Sequence, residues 1–278
     1  MISLEKTSGL PISMKEDYSL VLGEGVVSDA QDGPTIREFS KVKNFLKDPG
    51  SAYHRKDVYQ MYRNVALAKH DGEIRAARLS YDITVIPPGK MGDEFAKTIG
   101  HYHEMKPGTG VRYPEVYEVL YGKVFWLIQS ATPDLEQLLE VYLIEAERGE
   151  KAVIPAGFGH ISINPTDDVL VMSNWQPYQK ANYEPYEAHQ GGAYYVVESQ
   201  RLSSGGGTSS GYDFAPNLNY KSLPELRRAR PRELPQYGLR SALPMYFTAT
   251  ADLRTLDFLS NPENYLEELT AQKVFSKI

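Results

Sequence analysis

Between residues 78 and 174, short strand-like runs follow one another, and some of them, such as 78–86, alternate apolar and polar residues with a period of two. Because this alternation is rich in β-branched and aromatic residues, it predicts half-buried β-strands. The predicted strands cover residues 78–86, 95–102, 116–120, 123–129, 140–146, 151–154, 160–164 and 169–174. Turn-forming pairs such as Tyr121-Gly122 and Asn164-Pro165 separate them. Many short strands with turns between them predict an all-β antiparallel sandwich or barrel.

The first 72 residues have a different periodicity. Apolar residues recur at helical spacing over 36–46 and predict an amphipathic helix, which Asp48-Pro49-Gly50 ends. A second helix is predicted over 57–68, where four apolar residues share one helical face. We therefore expect residues 1–72 to form an N-terminal helical extension that packs on the barrel.

The C-terminal part of the chain follows a segment of low complexity. Residues 203–211 read SSGGGTSSG, a composition typical of a flexible loop. Beyond it, residues 253–269 predict one or two short helices. The chain is thus expected to comprise an N-terminal extension (1–72), a barrel (73–200), and a flexible loop with a C-terminal extension (201–278).

Composition narrows the class of protein. The 278 residues include no cysteine, so any protein-held metal must be bound through nitrogen and oxygen. The net charge of -6 argues against a nucleic-acid partner, since such proteins usually carry a basic excess. The N-terminal sequence MISLEKTSGL lacks the apolar core of a signal peptide, and no apolar run is long enough to cross a membrane. We therefore expect a cytoplasmic location and no membrane partner.

Three histidines and one glutamate carry the candidate chemistry. His101 and His103 are two residues apart in a predicted strand, so their imidazoles project from the same face. Glu115 directly precedes a further predicted strand and His160 begins another, and all four side chains converge only if the sheet curls. A lone His-x-His is weak support for a metal site, and ordinary hydrogen-bonded strand histidines are the alternative. Glu118, three residues from Glu115, is expected to face the opposite side of the sheet.

The spacing around these residues resembles the two sequence motifs of the cupin superfamily. Glu115 is followed by six residues and Gly122, and the second motif runs from Gly149 through Pro155, Gly157 and His160 to Asn164. The first motif departs in two places, because residue 95 is not glycine and eleven residues separate His103 from Glu115. A loop insertion over 104–114 accounts for that spacing. The resemblance implies a cupin fold, a small antiparallel β-barrel or jelly roll, with a metal site.

A narrower resemblance covers about residues 35 to 190. The most specific part is Thr98-x-Gly100-His101-x-His103 followed by Glu115-Val116-Tyr117, which resembles the cupin-type phosphoglucose isomerases. The resemblance implies a homodimer that binds a phosphorylated hexose and one divalent metal ion per chain, iron first, with manganese, nickel or zinc as alternatives. It implies these site residues: metal ligands His101, His103, Glu115 and His160; catalytic residues Glu115 and Tyr183; substrate-binding residues Thr84, Thr98, Gly100 and Tyr117, of which Thr84, Thr98 and Gly100 would hold the phosphate.

The implied reaction is the interconversion of glucose 6-phosphate and fructose 6-phosphate. Hydrogen moves between C1 and C2, either through an enediol with Glu115 as the base or as a direct hydride. The family usually has a histidine before the pocket tyrosine, whereas Ala181 and Asn182 precede Tyr183 here, and His189 is the other candidate for that role. The alternative functions are another metal-dependent cupin enzyme, mannose-6-phosphate isomerase-like or a dioxygenase, and a non-catalytic sugar-binding cupin.

Overall fold

The computed structural model describes residues 1–29, 33–202 and 208–278, and the backbone alone at 200–202 and 208–210. Its strands are β1 Ile2–Ser3, β2 Ile12–Met14, β3 Leu20–Leu22, β4 Val26–Val27, β5 Thr35–Glu38, β6 Asp57–Tyr62, β7 Ala66–Leu67, β8 Leu79–Ile86, β9 Lys90–Met91, β10 Glu94–Phe95, β11 Tyr102–His103, β12 Glu115–Tyr121, β13 Lys123–Ala131, β14 Leu138–Glu147, β15 Lys151–Ile154, β16 Phe158–Ile163, β17 Leu170–Pro177, β18 Ala181–Asn182, β19 Tyr194–Leu202, β20 Thr208–Pro216, β21 Leu226–Pro231 and β22 Phe275–Lys277.

The helices are short. The α-helices are α1 Glu5–Ser8, α2 Phe39–Val42, α3 Ala68–Ala76, α4 Glu184–Ala188, α5 Met245–Ala251, α6 Asp257–Ser260 and α7 Ala271–Val274. Single 3-10 turns cover Lys43–Phe45, Pro235–Tyr237, Leu253–Leu256 and Pro262–Asn264. Among the described residues, no helix has both the length and the apolar character of a membrane span.

Two sheets form the centre of the molecule. The first has the strand order β15-β12-β17-β8-β6-β5, and the second has the order β16-β13-β14-β21-β22. The segment between β10 and β11 lies along the free edge of β16, which it contacts through isolated bridges. From β8 to β17 the chain crosses repeatedly between the two sheets, which gives the strand order of a jelly roll. The all-β prediction is confirmed.

Both faces of the central strands are buried. All eight residues of β8 are buried, and Trp126 on β13 and Trp175 on β17 are inaccessible to solvent. One face of each strand lines the interior of the jelly roll, and the other is covered by the terminal segments: the Tyr246 ring of α5 packs 5.1 Å from Tyr81 and 6.0 Å from Trp175. The terminal segments are therefore needed to bury the outer face of the first sheet.

The turn between β12 and β13 explains one of the motif glycines. Gly122 has φ +82, in the left-handed region that favours glycine, and a Cβ there would lie 2.4 Å from the carbonyl oxygen of Val169. Any side chain at this position would therefore push the β12–β13 turn away from the start of β17.

The helix predicted over 57–68 is wrong. Residues 57–62 form β6, which lies between β5 and β8 in the first sheet. Because five of its six residues are buried on one face or the other, the strand has no alternation of polar and apolar residues to reveal it. The nearby α-helix, α3, begins only at Ala68.

The predicted helix over 36–46 and the predicted loop over 203–211 also differ in part from the structure. The helix expected over 36–46 is a strand to Glu38, then α2 and a 3-10 turn to Phe45. Of the loop predicted over 203–211, residues 203–207 lie outside the described residues, whereas Thr208 onward forms β20, paired with β19. Strands β5, β6 and β21 join the two central sheets, so residues outside 73–200 extend them. The three-part division of the chain stays a prediction.

A buried ion pair fastens the C-terminal segment to the first sheet. Glu118 faces away from the jelly-roll interior, as predicted, and one of its oxygens lies 2.7 Å from Lys151 Nζ. The other accepts a hydrogen bond of 3.0 Å from the backbone N–H of Met245, at the start of α5. Burial raises the pKa of Glu118 to about 7, against the lowering effect of the Lys151 ammonium. Removing one partner would leave the other charge buried and uncompensated.

We predict that Lys151→Met lowers the free energy of unfolding by about 3–5 kcal/mol, while Glu118→Leu with Lys151→Met restores most of that loss. Urea denaturation of both variants and the wild type measures this. Lys56→Met, which breaks an exposed ion pair with Glu38, is the control and should leave stability nearly unchanged. A single variant as stable as the wild type would contradict the role assigned to the pair.

Candidate metal centre

The four predicted ligands come together at one end of the jelly-roll interior. His101 and His103 lie on the segment that includes β11, His160 on β16, and Glu115 at the start of β12. Reciprocal backbone hydrogen bonds join His101 and His160, with N···O distances of 3.3 and 3.1 Å. One strand from each sheet and the edge segment therefore supply the cluster, and each strand presents its ligand from the inward face.

The ligand atoms are close enough for one ion to contact all four. One donor atom from each of the four residues lies within 4.8 Å of the other three. Glu115 Oε2 lies 3.3 Å from His103 Nε2 and 3.1 Å from His160 Nε2. The imidazole rings of His101 and His160 have centroids 4.5 Å apart. Among the described residues, this is the one group of its kind that could hold a metal.

The electrostatics favour neutral imidazoles beside an anionic carboxylate. Burial, then repulsion from His160 and His103, lowers the pKa of His101 well below its usual value. Burial also lowers the pKa of His160. For Glu115 burial would raise the pKa, but the contacts with His103 and His160 hold it below its ordinary value. Neutral imidazole and ionised carboxylate are the forms that bind a cation.

The hydrogen bonding also fits a metal. His103 Nδ1 lies 3.0 Å from the carbonyl oxygen of Tyr113, so Nδ1 donates its hydrogen and Nε2 presents a lone pair to the cluster. Two buried imidazole nitrogens, His103 Nε2 and His160 Nδ1, have no hydrogen-bond partner. Buried polar atoms without partners are uncommon, and at His103 a bound cation would supply the missing contact. The donor set therefore fits a divalent metal ion.

The insertion at 104–114 contacts both His103 and the C-terminal segment. Arg112 Nη1 donates to the carbonyl oxygen of His103 at 2.7 Å. Lys106 Nζ donates to Asn261 Oδ1 at 2.8 Å and to Glu263 Oε1 at 2.6 Å. The loop that orients His103 is thus tied to the C-terminal segment of the chain.

The predicted phosphate-binding residues lie along the same cavity. Thr84 and Thr98 both line it, together with His101 and Glu115. Thr98 Oγ1 accepts a hydrogen bond of 3.0 Å from the backbone N–H of Ser162, which leaves its own hydrogen free to donate. Gly100 does not line the cavity, although its N–H makes no hydrogen bond to the described residues.

Gly100 also has a packing role. A Cβ at this position would lie 2.3 Å from Tyr186 Cδ1 and 2.7 Å from Ile161 Cγ1. Only glycine allows the edge segment to approach α4 and β16 this closely, and this approach positions the adjacent His101.

The two tyrosines predicted to lie in the pocket contact the group of three histidines and Glu115. Tyr117 donates its hydroxyl hydrogen to Glu115 Oε2 at 3.0 Å and lies 3.1 Å from His160 Nε2. Tyr183, at the start of α4, lines the cavity, with its ring centroid 5.4 Å from that of His101. His189 instead stacks on Tyr220, at 4.0 Å between ring centroids, and does not line the cavity.

Other cavity-lining residues were missed from the sequence. They lie on or directly after β6 (Tyr59, Met61 and Arg63) and around β17 (Met172, Asn174, Gln176 and Gln179). The β6 residues are spaced by two, but the erroneous helix over 57–68 hid that spacing. On β17, Asn174 and Gln176 flank the apolar Trp175, and that spacing by two was the available signal.

Comparison with known proteins points to one family. The sequence model of the glucose-6-phosphate isomerase family matches residues 36–205. Glucose-6-phosphate isomerase of Thermococcus litoralis is 28% identical over 193 residues, 68% of this chain and 90% of that protein. The enzyme of Pyrococcus abyssi is 30% identical over 166 residues, 58% of this chain and 76% of its own length.

The similarity of this chain to solved structures is low. Oxalate oxidase in complex with glycolate aligns at a TM-score of 0.32 and 18% identity, over 44% of this chain and 52% of that chain. Oxalate decarboxylase from Bacillus subtilis aligns at a TM-score of 0.30 and 14% identity, over 45% of this chain and 26% of that chain.

We predict that the purified protein binds about one divalent ion per chain, and that His101→Ala with His160→Ala empties the site. Two of the four donors are then lost, and structural metal sites need about four. Elemental analysis after gel filtration measures the metal content. His54→Ala, at an exposed histidine, should retain the wild-type content. Stoichiometric metal in the double variant would contradict the assignment.

Proposed function

The chain belongs to the glucose-6-phosphate isomerase family, and from that membership we propose that it is a metal-dependent aldose–ketose isomerase. It interconverts glucose 6-phosphate and fructose 6-phosphate. The observation that carries the proposal is the shared cavity: Thr84 and Thr98 line the same space as His101 and Glu115. Hydroxyl groups that can hold a phosphate thus face the donor group that can hold a metal.

The metal ligands in this proposal are His101, His103, Glu115 and His160. A divalent ion held there would act as a Lewis acid on the C1 and C2 oxygens of the sugar. Imidazole nitrogens with one carboxylate suit several first-row metals, and we propose iron, with manganese, nickel or zinc as alternatives.

The two oxygens of Glu115 have different surroundings. Oε2 contacts His103, His160 and Tyr117, whereas Oε1 has no hydrogen-bond partner among the described residues and the side chain lines the cavity. We propose that Oε1 takes the proton from C2 of open-chain glucose 6-phosphate and returns it to C1, through an enediol, while the hydroxyl proton of O2 moves to O1. This assignment lets one oxygen stay with the ligand cluster while the other acts as the base.

Two tyrosines lie beside the proposed metal ligands at the catalytic part of the cavity. The hydrogen bond from Tyr117 fixes the carboxylate of Glu115, and with it the direction of Oε1. Burial, then the charge of Glu115, raises the pKa of Tyr117 well above its usual value, so it stays a hydrogen-bond donor. Tyr183 closes the other side of the cavity against His101 and is proposed to contact the substrate there.

The hydroxyls of Thr84 and Thr98 separate this function from a dioxygenase, but not from an isomerase of another hexose phosphate. A dioxygenase could use the same three imidazoles and carboxylate, but it has no need of two threonines along the cavity. A mannose-6-phosphate isomerase would share the phosphate contacts and differ only at C2. Kinetics with glucose 6-phosphate and with mannose 6-phosphate decide between the two isomerases.

Assembly, location and metal identity stay predictions. We propose a homodimer, which light scattering at micromolar concentration tests, and a cytoplasmic location, which fractionation of the source cells tests. Iron as the physiological metal is tested by elemental analysis of protein purified without added metal.

We predict that wild-type protein isomerises fructose 6-phosphate and that Thr84→Val weakens sugar-phosphate binding. The loss of a hydrogen bond to a charged group costs about 1.5–3 kcal/mol, or about ten- to hundredfold in affinity. Turnover should fall as well, since phosphate anchoring orients the reacting carbons. A coupled assay for glucose 6-phosphate, with and without chelator, provides both readouts.

Thr84→Ser keeps the hydroxyl and is the matched control, expected to stay near wild type. Thr98→Val tests the second hydroxyl but also leaves the Ser162 N–H without a partner, so Thr98→Ser accompanies it. Wild-type kinetics in Thr84→Val would place the phosphate elsewhere. No isomerisation by the wild type with any of the four metals would refute the proposed function.

If Glu115 is the base, the hydrogen transferred between C2 and C1 should exchange with solvent. Fructose 6-phosphate recovered after partial reaction in D2O should carry deuterium at C1, because a proton held on a carboxylate exchanges with water between the two transfers. Mass spectrometry of the recovered sugar measures this. Complete retention of the original hydrogen would instead indicate a direct hydride shift and no base role for Glu115.

A further inference from the structure

One buried amide in the cavity has no protein partner. Asn174, on β17, is 3% exposed and lines the cavity, yet its side chain makes no hydrogen bond to the described residues. Its amide atoms open onto the cavity, so a ligand that displaces solvent from them must supply hydrogen bonds or leave a buried amide unsatisfied, which is costly. An amide in this state inside a substrate cavity points to a ligand that completes its hydrogen bonds.

The neighbours of Asn174 cannot complete them. In the sheet Asn174 lies between Tyr117 on β12 and Asp82 on β8. The Tyr117 hydroxyl already contacts Glu115 and His160. Each carboxylate oxygen of Asp82 already accepts two hydrogen bonds, from four donors: Ser80 Oγ, Arg63 Nη1, Gln176 Nε2 and the backbone N–H of Asn64. Both flanking groups are therefore saturated.

The sheet register places Asn174 between the two ends of the site. Thr84 pairs with Met172, one same-face row away from Asn174, on the side proposed for the phosphate. Glu115 is two residues from Tyr117, one same-face row away in the other direction. Successive same-face rows are about 7 Å apart along a strand. A hexose 6-phosphate that spans from Thr84 to the metal ligands must therefore lay the middle of its carbon chain along the row of Asn174.

Arg63 adds a second donor group to this row. Its guanidinium lies 2.5 Å from Asp82 Oδ2, and the pair holds it at the cavity wall with 40% of the side chain accessible. Burial would lower the pKa of Arg63, but the charge of Asp82 keeps it above its usual value, so it remains a cation. Since Asp82 is saturated, it serves to orient Arg63 and Gln176 rather than to contact the substrate.

We propose that Asn174, with Arg63 on the far side of Asp82 in the same row, forms a hydroxyl-recognition subsite that reads the configuration of C3 and C4 of the substrate. This inference rests on the proposed function, because it takes the phosphate and metal ends from it. An amide offers both a donor and an acceptor, and a hydroxyl does the same, so one secondary hydroxyl in the right configuration satisfies both. An epimer directs that hydroxyl away and leaves the buried amide without a partner.

The test uses unreactive polyols, so that binding is measured without turnover. Glucitol 6-phosphate has the substrate configuration at C3 and C4, galactitol 6-phosphate inverts C4, and allitol 6-phosphate inverts C3. Calorimetric titration of metal-loaded wild type should give about tenfold tighter binding of glucitol 6-phosphate than of at least one epimer. Asn174→Leu, an apolar replacement of similar size, and the smaller Asn174→Ala should both reduce that preference to within about threefold.

Two controls make the result specific. Ser173→Ala changes the adjacent buried residue, whose side chain faces the opposite side of the sheet, and should keep the full preference. Thr84→Val should weaken all three ligands alike and keep the ratio. Thermal unfolding and metal content identify any Asn174 variant that fails to fold or to load.

The outcomes separate this inference from the proposed function. If the wild type isomerises fructose 6-phosphate but binds the three polyols equally, or if folded Asn174 variants keep the preference, the hydroxyl subsite is wrong and the isomerase stands. If the wild type prefers glucitol 6-phosphate and the Asn174 variants lose that preference, but the wild type does not isomerise fructose 6-phosphate, the subsite stands and the proposed function fails.

Discussion

The reciprocal backbone hydrogen bonds between His101 and His160 are the constraint on which the rest of the site depends. They align an irregular edge segment with β16 and so bring two imidazoles from distant parts of the chain to one point. The alignment tolerates no side chain at residue 100, where a Cβ would collide with Tyr186 and Ile161. Burial of the imidazoles then keeps them neutral, and the contacts with Glu115 keep that carboxylate ionised. A metal-binding donor set is thus a consequence of how one strand edge is packed.

The part of the chain beyond the family match supports this arrangement from outside. Lys106 connects the loop that carries the Tyr113 carbonyl to Asn261 and Glu263, and that carbonyl orients His103. On the opposite side, Glu118 receives the first N–H of α5. These contacts are made by residues after 205, where the family match ends. The C-terminal segment therefore acts as a brace for the insertion loop and for the first sheet.

The sequence predicted those features that depend on local periodicity and failed where periodicity is lost. Alternation and turn residues located the strands from β8 to β17, and the two-residue spacing of His101 and His103 predicted their common face. Strand β6 was missed because burial on both sides removes the alternation, so the spacing of Val58, Met61 and Tyr62 imitated a helix. The role of Asn174 was equally hidden, because whether an amide is satisfied depends on partners from β8 and β12 that no local pattern specifies.

The interior of the jelly roll therefore contains two kinds of polar group. Asp82 has its hydrogen-bonding capacity filled by protein donors, and Tyr117 is engaged by Glu115 and His160; both hold their neighbours in place. Asn174 and Glu115 Oε1 are left without protein partners among the described residues and face the cavity. A buried polar group is costly unless something satisfies it, so the unsatisfied groups describe the ligand more closely than the filled ones do. Their order along the sheet, a hydroxyl on Thr84, then an amide, then a carboxylate beside three imidazoles, matches a phosphate, a polyol chain and a carbonyl end in turn.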